Sequence, residues 1–313
     1  MTSHTMNVVF GTGPVGLAVI DELAGQGERV RAVNRSGRAA LPDGVELAPG
    51  DATDGAFTAS VCGDAAVIYN CLNAPYAKWP EQFPPLQAGV LAAAEQSGAK
   101  LVVMENVYMY GPTGGKPLTE DLPYLATTRK GRCRAEMAQS LLDAHRSGRA
   151  RVAIGRASDF FGPRARESAV GERVFGVAVR GKKVQVLGDP DAPHTYTYVP
   201  DIARGLVTLG TDDRALGSAW HLPSAPAIST REFVKIAFEA AGKPLKMQRV
   251  SKPMLKLAGL FSPAVRELDE MLYEFEEPFI VDNSRFTTTF GQEATTLAEA
   301  IATTVDWFNA NRK

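Results

Sequence analysis

Cysteine is scarce in this chain. Cys62, Cys71 and Cys133 are the whole set, an odd number, widely spaced and without a CxxC pair. A disulfide framework and a cysteine zinc site are thereby excluded, leaving buried or idle thiols in a reducing compartment. Histidine is sparse too, four residues with no two at metal-ligand spacing, so no metal is expected. Surplus charge is missing: a net charge of −1 offers nucleic acid or an anionic membrane no electrostatic attraction. No apolar run approaches the roughly 20 residues of a membrane span. Met1-Thr2-Ser3-His4-Thr5 carries neither the cationic nor the apolar region of a signal peptide. The expectation is a cytoplasmic protein whose partner is a small molecule, not nucleic acid and not membrane.

What is present is alternation. Over the first half of the 313 residues, short β-branched runs take turns with longer helical patterns. Asn7 to Phe10, Val30 to Val33, Val45 to Leu47, Ala66 to Asn70 and Leu101 to Met104 read as strands. Pro14 to Gln26, Leu86 to Gln96 and Gly131 to His145 read as helices, and Arg151 to Ile154 as a sixth strand. Such alternation predicts βαβ units and an α/β fold of Rossmann type, a doubly wound parallel sheet covered on both faces. Beyond Gly162-Pro163 the pattern loosens. Short strands such as Lys183 to Leu187 and helices such as Ser229 to Ala241 mix with Pro and Gly. Residues 1–165 are expected to form a dinucleotide-binding domain. Residues 166–313 are expected to form a smaller C-terminal substrate-binding lobe, with some segments returning to the first.

Val8-Val9-Phe10-Gly11-Thr12-Gly13-Pro14-Val15-Gly16 is an apolar run ending in GxGxxG, and Leu17-Ala18-Val19-Ile20 continues as a helix. Gly11 permits a tight turn, Gly13 lets the backbone approach a pyrophosphate, and Gly16 lets the helix pack on the strand. Free N–H groups and the positive helix end favour phosphate there. Pro14 suits a first helical turn, where its missing N–H goes unused. A strand before the glycines and a helix after them turn a weak motif into a dinucleotide site.

At the end of the second strand NAD enzymes place an acid for the ribose 2′-hydroxyl. Here stands Asn34-Arg35-Ser36, with Arg38 close behind. A guanidinium pairs with a 2′-phosphate that an acid would repel, so NADP is expected ahead of NAD. The competing reading makes Arg35 a solvated loop charge. Asp51 and Ala52, after the third strand, would lie near the adenine. Leu72, Asn73 and Ala74, after the fourth, would pass the middle of the cofactor.

These motifs, in this order, resemble the extended short-chain dehydrogenase/reductase superfamily in its NAD(P)-dependent epimerase/dehydratase group. Gly50-Asp51-Ala52-Thr53-Asp54 is similar to its GDxxD, and Met109-Tyr110-Gly111 stands at its VYG. Arg156-Ala157-Ser158-Asp159-Phe160-Phe161-Gly162-Pro163 is similar to its RxxNVYGP. The resemblance implies cofactor contacts near Ser158 and a substrate pocket between the two lobes. It also implies a Tyr and, four residues on, a Lys that move the proton, with a Ser or Thr holding the substrate oxygen. Counting back from Glu136 puts Arg132 at the Lys place, where it would hold the cofactor ribose or phosphate, and Thr128 at the Tyr place. Counting back from Gly111 puts Asn106 at the Ser/Thr place. No register restores YxxxK, so an atypical member is expected.

Three residues are candidates for the chemistry. Tyr108 stands where the sugar-nucleotide dehydratases of the superfamily carry a catalytic acid, and Asn106 would bond the same oxygen; the other reading has Tyr108 merely line the pocket. Lys130 is the second proton donor to consider; its other reading is a solvated lysine ahead of the helix. Tyr110, Asp159 and His194 are candidate substrate contacts, with Asp159 alternatively salt-bridged to Arg156 or Arg164. The stretch Met271 to Phe279, aromatic and acidic, reads as a lid or as a core segment with a turn. The expected function is NADP-dependent hydride transfer to or from a small carbonyl or hydroxyl substrate. Sugar-type epimerisation or dehydration, which Arg164 and Arg166 keep open, and non-catalytic NADP(H) sensing are the alternatives. By analogy with the superfamily, a homodimer would form through the helices at 86–96 and 131–145.

Overall fold

The structure is a computed structural model and describes residues 5–250 and 270–312. Its centre is a seven-stranded parallel sheet. In chain order the strands are β1 (Met6–Phe10), β2 (Arg29–Asn34), β3 (Glu46–Pro49), β4 (Ala65–Asn70), β5 (Lys100–Glu105), β6 (Arg151–Arg156) and, much later, β11 (Ala219–His221). Their spatial order is β11-β6-β5-β4-β1-β2-β3. The order reverses direction between β1 and β4, and that switch point opens a crevice at the carboxyl ends of the strands. Every residue of β1 is buried, as a central parallel strand covered on both faces requires.

Helices α1 (Pro14–Gly25), α2 (Gly55–Cys62), α3 (Trp79–Ser97), α4 (Arg129–Arg146) and α6 (Val199–Thr211) cover the sheet. Helix α1 buries Val15, Val19, Ile20 and Leu23 against α6 and the sheet. Each such burial is worth about 1.5–3 kcal/mol. On the other face, Val90, Leu91, Ala94 and Leu141 of α3 and α4 meet β1, β4 and β5. Helix α3 begins seven residues before the predicted Leu86. Pro80 falls in its first turn, where it is tolerated, but Pro84 and Pro85 lie inside it and each removes a ladder donor. Buried Trp79 and Phe83 hold that stretch helical regardless.

Most of the remaining elements gather around a third core of Phe161, Phe175, Phe233 and Phe308, while Phe286 packs with Trp220 in the core shared by α1 and α6. These remaining elements are β7 (Asp159–Phe161), α5 (Val177–Val179), β8 (Val184–Leu187), β9 (Pro193–His194), β10 (Tyr196–Tyr198), β12 (Ile228–Ser229), α7 (Thr230–Ala240), β13 (Met247–Val250), α8 (Ser284–Phe290) and α9 (Leu297–Ala310). Strand β7 pairs with β10, β9 with β12, and β8 with β13. Strand β7 follows β6 after two residues, so Asp159 stands at the carboxyl end of the main sheet. No described helix is long and apolar enough to cross a membrane.

Candidate active site

The glycine turn is built as its spacing demands. Gly11 has φ +96°, and a Cβ on it would lie 2.7 Å from Cys71 O. A Cβ on Gly16 would lie 1.9 Å from Gly11 O. Those two glycines let β1, α1 and the end of β4 close on one another. Gly13 is exposed with nothing within 4 Å of its Cβ position, so its face is left open to a ligand. Exposed Gly13 and half-buried Thr12 and Pro14 at the start of α1, over buried Val15, fit a pyrophosphate at a helix N-terminus.

Asn34 shapes the rim beside the turn. Its Nδ2 donates to Thr12 Oγ1 at 2.9 Å and to Arg38 O at 3.1 Å, and its Oδ1 accepts from Gly37 N at 2.8 Å. Ser36 Oγ donates to the same Oδ1. Arg35 is exposed on this rim, within electrostatic reach of Asp51. The Asp51 carboxyl accepts from the Thr53 backbone and hydroxyl, which hold it below the ordinary carboxylate range. Ala52 is buried under α3, where a Cβ on Gly89 would meet its carbonyl at 1.8 Å. After β4, Leu72 N donates to Asn70 Oδ1, Asn73 is exposed, and the Ala74 carbonyl accepts from Trp79 Nε1 at 3.0 Å. One loop thus joins the glycine turn, through Cys71, to an aromatic cluster at Trp79.

That cluster is where α4 begins. Thr128 is the N-cap, its Oγ1 accepting from Gly131 N at 3.1 Å. It holds the helix end. A Cβ on Gly131 would stand 2.8 Å from Tyr108 O, so only glycine lets α4 start against the turn after β5. Lys130 and Arg134, four residues apart, share the buried face of the helix. Arg132 is exposed and donates to the Thr127 carbonyl, while Lys130 and Arg134 hold the inward positions.

Lys130 is fully buried, not solvated. Its Nζ lies 2.9 Å from Glu270 Oε2 and 4.4 Å from the centre of the Tyr76 ring. Tyr76 packs on Trp79 and Trp79 on Tyr108, with ring centres 5.1 and 5.9 Å apart. Tyr108 is largely buried. Burial, then the nearby Glu274, Tyr76 and Asp159, push its phenol well above the ordinary value, so its hydroxyl keeps its proton. Asn106 Oδ1 accepts from Tyr108 N at 3.3 Å. Ser158 is buried and its hydroxyl meets no partner.

Asp159 pairs with neither Arg156 nor Arg164. Its Oδ2 lies 3.1 Å from His194 Nε2, and His194 Nδ1 donates to Glu274 O at 3.1 Å. His194 is stacked on Phe275 and Phe279. The segment 271–279 is strapped to β9, since Phe279 N donates to Pro193 O and Thr195 N to Phe279 O.

Tyr110 does not join this group. Its hydroxyl accepts from Arg156 at 2.6 Å and donates to His221 Nε2 at 2.9 Å, all buried. The roles follow from His221 Nδ1, which must donate to the Asp282 carbonyl. Arg156 also bonds Glu105 at 3.2 Å. Arg134 reaches Glu105 only at 3.4 Å, with its Nε unpartnered, and packs on Phe83. Tyr76, Arg134 and Glu105 were not among the residues singled out from sequence. The spacing of Lys130 and Arg134 around Gly131 was the available signal.

Against known proteins, the model of the NAD dependent epimerase/dehydratase family matches residues 8–219. The chain therefore belongs to that family of enzymes. It is 25% identical over 228 residues to a dTDP-glucose 4,6-dehydratase of Streptomyces griseus, a stretch spanning 71% of this chain and 62% of that enzyme. Its fold is similar to that of a UDP-glucose 4-epimerase from Thermotoga maritima, solved with UDP-glucose: TM-score 0.80, 16% identity, 99% of this chain and 100% of that one. A dTDP-glucose 4,6-dehydratase from Streptomyces venezuelae, solved with NAD, gives TM-score 0.80 at 16% identity over 98% of both chains. At such identities the likeness is one of fold.

Proposed function

We propose that this protein is an oxidoreductase that binds a pyridine nucleotide, NADP ahead of NAD, and acts on a small carbonyl or hydroxyl substrate. The observation that carries the reading is a single loop, residues 71–79, which joins the open glycine turn at Cys71 to Tyr108 through Trp79 and to the buried Lys130 through Tyr76. The nucleotide, when bound, supplies or accepts a hydride at carbon. Gly11 to Gly16 take its phosphates, Arg35 its 2′-phosphate, and Asp51 and Ala52 its adenine side. Leu72, Asn73, Ala74 and the unpartnered Ser158 hydroxyl lie along its path. Residues 1–165 bind the nucleotide in this reading, and 166–313 close over the substrate. A homodimer through α3 and α4 and a cytoplasmic setting belong to the same reading.

Tyr108 keeps its proton and so donates a hydrogen bond to the substrate oxygen, with the Asn106 amide as a second donor. Lys130, buried and fixed by Glu270, adds positive charge where the oxygen gains electrons. Asp159, oriented by His194, accepts from a substrate hydroxyl.

A second reading, epimerisation or dehydration of a nucleotide sugar, draws on the enzymes to which the chain is similar. Its candidate diphosphate holders are engaged elsewhere: Arg164 with Asp21, and Arg166 with Glu172 and the Asn311 carbonyl. NADPH oxidation over a panel of carbonyl compounds, run beside UDP-glucose and dTDP-glucose, separates these. Turnover of uncharged carbonyls supports the proposal. Turnover of nucleotide sugars alone replaces it with the second reading. Tight NADPH binding without turnover makes the protein a sensor.

A further inference from the structure

Arg134 is a buried charge that the proposed chemistry leaves unused. It lies on the inward face of α4, one turn beyond Lys130, and is 2% exposed. Its pairing is poor for so buried a group. It shares the Glu105 carboxylate with Arg156, which is the better partner. Arg156 Nε donates to Glu105 Oε2 at 3.2 Å, and its other nitrogens donate to the Tyr110 and Tyr124 hydroxyls. Arg134 is left 3.4 Å from Glu105 Oε1 and 3.8 Å from the weakly accepting Met137 sulfur, with its Nε unpartnered. Burial is the main cause that holds its pKa below the ordinary arginine value, against the pull of Glu105. A second guanidinium on one buried carboxylate costs more in lost hydration than such contacts return. Stability alone does not account for it.

The rings beside it do. The guanidinium carbon stands 4.7 Å from the centre of the Phe83 ring and 5.9 Å from that of Trp79. Trp79 and Phe83 are one turn apart on α3, where Pro84 and Pro85 take two donors out of the helix ladder. Their rings meet edge to face at 5.5 Å. The same Trp79 ring packs on Tyr108 at 5.9 Å, and its Nε1 donates to the Ala74 carbonyl at 3.0 Å. A planar cation over both rings fixes them as a flexible apolar side chain would not. The other flank hangs on the same carboxylate. Glu105 directly precedes Asn106, and its partner Arg156 fixes Tyr110, the last residue of the short turn that carries Tyr108. Tyr108 is thus held at its ring by Arg134 through Trp79, and at its backbone by Arg156 through Tyr110.

We propose that Arg134 is a positioning residue, whose guanidinium holds Trp79 against Tyr108 and so sets where the Tyr108 hydroxyl meets the substrate oxygen. The inference rests on the oxidoreductase reading, in which Tyr108 donates that hydrogen bond. In this role Arg134 acts through Trp79 and touches neither substrate nor nucleotide. Its removal leaves Glu105 with Arg156, so no buried charge is orphaned. Stability and activity should therefore part company.

The test is Arg134→Met, a change of similar volume. It should melt no lower than the parent, because an apolar side chain replaces a poorly paired charge. Its kcat should fall roughly 10-fold, with KM and NADPH affinity within about twofold of the parent. In a Tyr108→Phe background, where no hydroxyl is left to place, the same change should cost less than about twofold. A merely structural role would lower both backgrounds alike. A readout without nucleotide comes from fluorine spectra of protein labelled with fluorotryptophan and assigned with Trp79→Phe. Arg134→Met should move the Trp79 resonance and leave those of Trp220 and Trp307 in place. A melt well below the parent, an unchanged kcat, an equal loss in both backgrounds or an unmoved Trp79 resonance overturns the positioning role while the oxidoreductase reading stands. A parent that turns over no carbonyl or hydroxyl substrate overturns that reading and the role with it, and the fluorine spectra then judge the Arg134–Trp79 contact alone.

Discussion

Lys130 Nζ lies 2.9 Å from Glu270 Oε2, and the same ammonium sits 4.4 Å from the centre of the Tyr76 ring. Such company offsets the cost of burying the amine. Burial alone would raise the Glu270 carboxyl, but the Lys130 side-chain and backbone hydrogen bonds outweigh it and hold it below its ordinary value. The pair's contribution is thus full above the unfolded carboxylate range and is lost as pH falls through the depressed folded value. Lys130→Met should cost about 1–3 kcal/mol at neutral pH, read by urea unfolding, because a part-buried carboxylate, still reached by solvent, loses its partner. The loss should shrink in acid.

Gly131→Ala tests how tightly α4 must begin against Tyr108. The added methyl would fall 2.5 Å from Ala126 Cβ and 2.8 Å from Tyr108 O. Backbone cannot yield as a flexible side chain would. A destabilisation of about 1–3 kcal/mol is expected from such overpacking, with activity reduced as Tyr108 shifts. Unchanged melting and activity would contradict the contact.

Cofactor choice is read at Arg35. If its guanidinium meets the 2′-phosphate, Arg35→Ala should weaken NADPH binding about tenfold, the size of one charge-assisted hydrogen bond, and leave NADH binding as it was. Equal loss for both nucleotides would assign Arg35 to the rim alone.

His221 gives the protein an acid-sensitive core. Burial is the main cause that lowers its pKa from 6.5 to about 4, with the Arg156 charge adding to it against the Asp282 carbonyl contact. Above 6.5 both folded and unfolded states are neutral there, so stability is full. As pH falls from 6.5 to about 4 the unfolded chain takes up a proton that the folded state refuses, and stability drops by up to about 3 kcal/mol before levelling. His221→Gln should remove about one proton from the measured linkage over that window.

The fold was legible because its signal is local. Strands β1, β2, β4 and β5 announce themselves as β-branched runs, and their ends fall within one residue of the expected ones. Helix α3 was cut short in the reading because Pro84 and Pro85 argue against helix locally, and only the packing of Trp79 and Phe83 overrides them. The glycine turn was legible in the same way, since Gly11 and Gly16 answer contacts within a few residues and at the next strand.

The site was less legible because its meaning lies in distant partners. Lys130 meets Glu270 across 140 residues, and Asp159 meets His194 across 35. Nothing near Lys130 marks it as buried. The count from Glu136 drew attention to Arg132, whereas the Thr128 cap and the close approach at Gly131 turn Lys130 and Arg134 inward. Tyr110 looked available for substrate until Arg156 and His221 took both sides of its hydroxyl.

The most direct test of the central claim is NADPH oxidation with carbonyl substrates by the parent, Tyr108→Phe and Lys130→Met, with NADPH affinity measured on the same preparations. The account predicts turnover by the parent, kcat/KM lower by roughly 100-fold in each variant, and NADPH affinity within twofold of the parent. Variants as active as the parent, or a parent that binds NADPH and turns over nothing, would contradict it.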